Sequence, residues 1–411
     1  MDAMQTTRPR AAADVAALVR QAQAGAQPVT VIAGGHGPWS HAPAEGVRID
    51  LTALDTVEVD GTRVRIGGGA TWGAVADALT PHGLAISSGD TRSVGVGGLV
   101  LGGGIGWMVR AWGLAADQLV GAQVVTASGE IVEASHDENA DLFWALRGGG
   151  GNFGVVTRFD FRAHELLGIA FGEFTLDADA DPARVLRALR DVLHDAPREL
   201  TVTYMDVPAM DPSAPAGARL SAVWAGGDAD ALRRVLAPVT ALPGVVGEVT
   251  TPAYRDILME MPEPPDPDAA PPGFLGGNGL FRELSDELID RLVAFRAAYP
   301  SAVVFLRSLG GAFGEVAQED TPFPARDATW FVMAGGFDVP GMLDDELRAA
   351  ILADADAISA GRVAEYGNFA PTERPDAVPG MFTETAYRRL QELKRVWDPQ
   401  NLFRRNHNIV V

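Results

Sequence analysis

Three glycine-dense segments constrain this chain more than anything else in it. They read AGGH at 33–36, VGVGGLVLGGGIG at 94–106 and RGGGGNFG at 147–154. Glycine reaches positive φ without strain and lets a ligand approach the main chain. Tight turns explain one such segment comfortably. Three of them within about 120 residues predict a chain wrapped around an extended ligand. The third contains a formal G-x-G-x-x-G at Gly149, Gly151 and Gly154. A dinucleotide-binding Rossmann loop needs a strand before it and a helix after it. Here VVTRFDF follows, alternating as a strand does, so Rossmann binding is rejected.

Composition removes several alternatives. The formal charge is −21, against the basic face that phosphate backbones require, so nucleic acid is not an expected partner. The same charge disfavours an anionic membrane surface. No run of 18 apolar residues suggests a transmembrane span. The N-terminal segment lacks the apolar stretch of a signal peptide, which makes the cytoplasm the expected location. With no cysteine, disulfides and thiolate metal sites are excluded. The seven histidines form no HExxH pattern, and no metal is expected. Lys394 is the only lysine, so a Walker A loop is absent. It sits in a polar helical segment, where nothing in the sequence would activate it as a Schiff-base amine. The sequence assigns no oligomeric state.

The hydrophobic pattern predicts an α+β chain. Residues 11–24 have helical spacing, and PVTVIAGGHG reads as a strand entering a glycine turn. VRIDLTAL, VEVDGTRVRIGGGA and the pair within QVVTASGEIVEAS read as strands. TWGAVADALTPHG reads as a helix ending at Gly83. From 164 to 363, strands IAFGEFTL, LTVTYMDV, RLSAVWAG and TWFVMAGGF alternate with four amphipathic helices. That pattern predicts an antiparallel sheet with helices on one face. MPEPPDPDAAPPGF, at 261–274, is read as a surface loop or a lid. Near the C-terminus, a helix stops at Asp398-Pro399.

The run from GGGATWGAVADAL through DLFWALRGGGGNFGVVTRFDF resembles the FAD-binding domain of the vanillyl-alcohol-oxidase superfamily, of the PCMH type. More narrowly it resembles the berberine-bridge-enzyme-like oxidases. YGNF and LKRVWDPQNLFRRNHNI resemble that family's terminal segment. The likeness is close over 30–163 and 364–411, and architectural between them. It implies an FAD-binding domain formed by 1–163 and completed by 364–411, with 164–363 as a substrate domain over the flavin. It places the FAD pyrophosphate on backbone N–H groups of the loop Ile32-Ala33-Gly34-Gly35-His36-Gly37 and of the second glycine segment, an anion nest rather than a lysine clamp. That loop usually reads R-S-G-G-H-S, so two side-chain donors are missing here. His36 is the implied 8α attachment point for FAD; His41, nearby, lacks the Gly-Gly approach. Many relatives make a second covalent link through a cysteine where this chain has Thr91, so the implied tether is single.

The resemblance also sets Gly89, Ser93, Val94, Gly95, Gly98, Gly103 and Val155 against the cofactor. Val94 is the position that admits O2. Asn368 is implied to reach the flavin, and Asn406 to lie in an ending that reads Asn406-His407-Asn408-Ile409 instead of N-Q-N-I. Tyr366 is the implied catalytic base, read as lying in a strand with Asn368 on the same face. An ordinary tyrosine pKa of ~10 is too high for an efficient base, so the site must depress it or couple deprotonation to hydride transfer; Arg110 and Arg147 are candidate sources of positive charge. The implied activity is an FAD-dependent oxidase acting on a small molecule, a specialised metabolite, with O2 reduced to H2O2. A cyclase or dehydratase of the same fold, a sugar or oligosaccharide oxidase, and a non-catalytic sequestering protein are the other readings.

Overall fold

The computed structural model describes residues 6–37, 46–208, 217–260, 273–299, 301–338, 343–370 and 375–411. His41 and most of the proline-rich segment at 261–274 lie outside them. In the N-terminal part, Asp60-Gly61-Thr62-Arg63 closes a hairpin between Val57–Asp60 and Arg63–Gly67, with Gly61 at φ +56. The two loop residues are Gly61 and Thr62, and glycine at the first of them supplies the positive φ without strain. The hairpin belongs to a five-stranded antiparallel sheet whose next strands are Val155–Arg162, Leu119–Val125 and Ile131–Ser135. A smaller parallel sheet holds Thr6–Thr7, Val47–Asp50 and Val29–Ile32. Helix Ala12–Ala24 buries Val15, Val19 and Ala22 in a core shared with Ile49, Val125 and Val155. Helix Trp72–Leu79 passes into a 3-10 turn, and Gly83, at φ +64, ends it as anticipated.

Residues 169–338 supply a second, seven-stranded sheet. In spatial order its strands are Val245–Thr250, Ile169–Leu176, Gly217–Ala225, Leu200–Val207, Ala302–Ser308, Trp330–Asp338 and Gly273–Phe281, all antiparallel. Helices Pro182–His194, Ala229–Thr240, Asp286–Ala298 and Asp345–Ser359 cover one face. Their N-caps Asp181, Asp228, Ser285 and Asp344 each accept a backbone N–H, satisfying donors the helix cannot. The opposite face turns toward the glycine segments. This is the predicted α+β architecture with helices on one side of an antiparallel sheet.

Three of these strands were not anticipated. Gly273–Phe281 carries four glycines, and sequence pattern reads such a run as loop. Here bare backbone is required: a Cβ at Gly279 would lie 2.5 Å from Cβ of Arg362. The other two are Val245–Thr250 at the sheet edge and Ala302–Ser308 at its centre. YGNF departs the other way, with Gly367–Phe369 forming a 3-10 turn rather than a strand.

The C-terminal helix Glu384–Trp397 returns to the first part, where Leu390 and Leu393 share a core with Phe143 and Leu146. Lys394 is fully buried there, not solvated as its polar neighbours suggested. Its Nζ donates to Asp398 Oδ2 at 2.7 Å, Asn152 O at 2.9 Å and Phe403 O at 3.0 Å. Those bonds match the three donors of an ammonium. Burial pulls its pKa down and the Asp398 carboxylate pushes it back up. Among the described residues, no helix is long and apolar enough to cross a membrane, and no cluster of three acidic or histidine side chains is placed to hold a metal.

Candidate active site

The first and second glycine segments meet back to back. A Cβ on Gly34 would sit 2.2 Å from Gly95 N, and one on Gly95 would sit 2.3 Å from Gly34 N. Only glycine at both positions permits this approach. Gly35 follows at φ +74. The contact brings two exposed side chains together, His36 Nε2 lying 2.9 Å from Ser93 Oγ. Val94, half-buried against the core, receives Trp72 N–H on its carbonyl at 3.0 Å. A Cβ at Gly98, which is exposed, would meet nothing. Ile32 ends its strand, Ala33 contacts Gly95, and Gly37 continues the loop. Gly89 lies against Leu99, and Thr91 pairs with Met259 in an isolated bridge.

The C-terminal tail joins the third glycine segment. Asn406 Nδ2 donates to Gly151 O at 3.0 Å, Asn152 Nδ2 to His407 O at 3.1 Å, and Ile409 N to Asn152 Oδ1 at 3.1 Å. Oδ1 of Asn406 is buried with no hydrogen-bond partner among the described residues. An orphaned buried acceptor is costly unless a ligand donor meets it. The bare cradle at Gly34 and Gly95, the exposed His36–Ser93 pair and this orphan suit a long, anionic cofactor with its own donors. Val155 stands apart. Its side chain is core, packed with Val15, Val19 and Val125, and adds nothing to the cradle surface.

Past the helix Val96–Leu101, Gly103 and Gly104 have φ of +109 and +86. A Cβ on Gly103 would strike the Phe323 ring at 2.5 Å. This turn aims two successive N–H groups at one oxygen. Tyr366 Oη accepts from Gly104 N at 3.2 Å, Ile105 N at 3.3 Å and Asn368 Nδ2 at 2.8 Å. Asn368 Nδ2 also donates to Leu99 O at 3.1 Å. The expected pairing of Tyr366 with Asn368 is therefore present, but a 3-10 turn makes it. Tyr366 is itself anchored by its backbone N–H on Asn278 Oδ1 at 2.8 Å.

Burial pushes the Tyr366 hydroxyl up to about 12, while the N–H groups of Ile105, Asn368 and Gly104 act against that rise and Asp90 adds to it. The two candidate arginines do not reach it. Arg110 is held by the carbonyls of Leu200 at 2.7 Å, Ala196 at 3.0 Å and Leu309. Arg147 donates to Asp320 O at 2.5 Å and lies over the Phe143 ring. Dipoles, not a cation, face the phenol oxygen. Three donors on one oxygen suit phenolate better than phenol.

Sequence reasoning missed a second constellation. Asp90, beside Thr91, receives both terminal nitrogens of Arg307 at 2.6 Å. Arg307 is 1% exposed, bonds Thr203 Oγ1 at 2.9 and 2.8 Å, and lies 4.6 Å from the Trp107 ring centroid. This pair ties the second glycine segment to the centre of the seven-stranded sheet. The run AVVFLRS was the available signal: short, apolar and β-branched, with the arginine two residues from Phe305 on one strand face.

A family model described as an FAD binding domain matches residues 5–135, and one described as berberine and berberine-like matches 365–410. (R)-6-hydroxynicotine oxidase of Paenarthrobacter nicotinovorans is 31% identical over 97% of this chain and 89% of its own. The structure of 6-hydroxy-D-nicotine oxidase from Arthrobacter nicotinovorans superposes with a TM-score of 0.82 at 26% identity, covering 98% of this chain and 91% of that one. Glucooligosaccharide oxidase of Acremonium strictum, described with a 6-S-cysteinyl, 8α-N1-histidyl FAD, gives 0.83 at 25% identity, covering 99% and 93%.

Proposed function

The chain belongs to the berberine-bridge-enzyme-like family of PCMH-type FAD-linked oxidases, and we propose that it oxidises a small organic metabolite with Tyr366 as the proton acceptor. It is an FAD-dependent oxidoreductase. When bound, FAD supplies a two-electron acceptor for a substrate hydride and returns the electrons to O2 as H2O2. The protein's part is to hold the cofactor and to move one proton. The bare backbone of Gly34, Gly35 and Gly95 would cradle it, with His36 as the attachment point and Asn406 Oδ1 accepting from it. The observation that carries the reading is the placement of Tyr366 Oη against three N–H donors, at the end of the same glycine segment that forms the cradle. A proton lost by a substrate hydroxyl or amine as its C–H is oxidised would go to this oxygen. Anaerobic mixing with a substrate should bleach the flavin, and admitting O2 should restore it. Product formation with no bleaching would support the cyclase or dehydratase reading instead.

Two further outcomes follow from the cradle. Denatured protein should retain yellow colour, and a peptide containing His36 should be heavier by one FAD. His36→Ala should lose that adduct, and wild-type apoprotein mass after denaturation would refute the link. Val94→Leu adds one methylene where O2 is expected to reach the flavin. Reoxidation should slow by about tenfold, a barrier change of about 1.4 kcal/mol, with anaerobic reduction nearly intact. Equal reoxidation rates would remove Val94 from the oxygen path.

A further inference from the structure

Strand register places a row of side chains on the sheet face that turns toward Tyr366. Met205 pairs with Phe305, and Phe305 pairs with Met333, across three adjacent strands inside the sheet. Residues in the middle of a seven-stranded sheet are ordinarily covered on both faces. These three are only half-buried, whereas their neighbours Tyr204, Leu306 and Val332, pointing to the helix side, are fully buried. The row therefore lines an open surface.

That surface continues into rings. Phe305 meets Phe331 edge-on with centroids 5.9 Å apart, and Phe331 meets Tyr366 at 5.6 Å and Phe369 at 5.4 Å. Phe369 is 47% exposed although it lies 5.8 Å from the Tyr366 ring. Most polar groups beside this wall are engaged within the protein; the exception is Asn278 Nδ2, next to Met333, a buried donor with no hydrogen-bond partner among the described residues, enough for one hydroxyl but not for the many of a sugar. Arg307 is taken up by Asp90 and Thr203, and Asn278 Oδ1 by the Tyr366 backbone.

We infer that the substrate is an aromatic small molecule, held by the Met205–Phe305–Met333 row and by Phe369, and not a carbohydrate. This rests on the reading of the Tyr366 site as the oxidase site. A sugar presents a hydroxyl on nearly every carbon, and each one buried against thioether or phenyl loses its hydrogen bonds to water without replacement. An aromatic ring loses nothing polar there and gains edge and face contacts with phenylalanine. Methionine sulfur adds polarizable contact and adapts to flat ligands of different outline.

The test uses the flavin-loaded protein and reads perturbation of the flavin absorption band, which needs no turnover. 2-Naphthol and 4-hydroxybenzyl alcohol are titrated beside cellobiose and maltotriose. The aromatic probes should bind at least about tenfold more tightly than either sugar. Phe369→Ala, at a position 47% exposed, should weaken 2-naphthol by about three- to tenfold and leave the sugars and the melting temperature nearly unchanged. Tighter or equal sugar binding, no response to either aromatic probe, or unchanged 2-naphthol binding in Phe369→Ala would overturn the inference. The oxidase reading fails separately, if dithionite-reduced flavin in the same protein is not rapidly reoxidised by O2.

Discussion

Tyr366→Phe is expected to load FAD normally and to slow flavin reduction by ~10²–10⁴, the range for losing a positioned base. The substitution keeps the ring and its contacts with Phe323, Phe331 and Phe369, so the local packing stays. It removes only the oxygen on which Gly104, Ile105 and Asn368 converge. The pH dependence carries the sign. With its pKa pushed up to about 12 by burial, the free phenol is protonated at neutral pH. Reduction through this oxygen should therefore accelerate with pH between about 6 and about 9, and Tyr366→Phe should flatten that rise. Stopped-flow reduction across this range checks both statements. An unchanged rate in Tyr366→Phe would make the residue packing only and place the base elsewhere.

Lys394→Met is expected to destabilise the protein by about 3–5 kcal/mol, the cost of removing one partner from a buried ion pair. Asp398 is fully buried and would be left without its cation. It also accepts from Leu402 N and Phe403 N, at 2.7 and 2.8 Å, so it cannot swing out to water without breaking the tail's turn. The carbonyls of Asn152 and Phe403 would lose their shared donor. Asn152 holds Ile409 and the third glycine segment, so the damage should reach FAD retention as well as the melting temperature. Lys394→Arg would not rescue it, since a planar guanidinium does not fit a site built for three converging bonds. Thermal unfolding of the three proteins, with flavin content measured beside it, decides the matter. A melting curve unchanged in Lys394→Met would show that the pair contributes nothing to holding the tail.

What the sequence made legible followed physical period. The amphipathic helices were visible because four faces repeat at helical spacing, as Val185, Leu186, Leu189 and Leu193 do. The glycine contact between Gly34 and Gly95 was foreshadowed by density alone, because nothing else tolerates a backbone pair so close. Gly273–Phe281 escaped notice because glycine hides strand periodicity. Ala302–Ser308 escaped because a short apolar run without alternation fits helix or strand equally. Missing that strand meant missing Phe305 and Arg307, and with them the aromatic wall and its anchor. Lys394 shows a different limit. Its neighbours Glu392, Arg395 and Arg389 are polar, and only the way the tail folds back puts this one position inside. Likewise, Arg110 and Arg147 were candidates for the charge near the phenol, yet the carbonyl groups of Ala196, Leu200, Leu309 and Asp320 hold them away.

The central claim, that this fold runs a net oxidation coupled to O2, is tested most directly by stoichiometry. Flavin-loaded protein turning over an aromatic substrate in air should release one H2O2 for each molecule oxidised, with one O2 consumed. Product that accumulates with neither O2 uptake nor peroxide would contradict it, and would leave the cofactor as part of the scaffold for a reaction without net redox change.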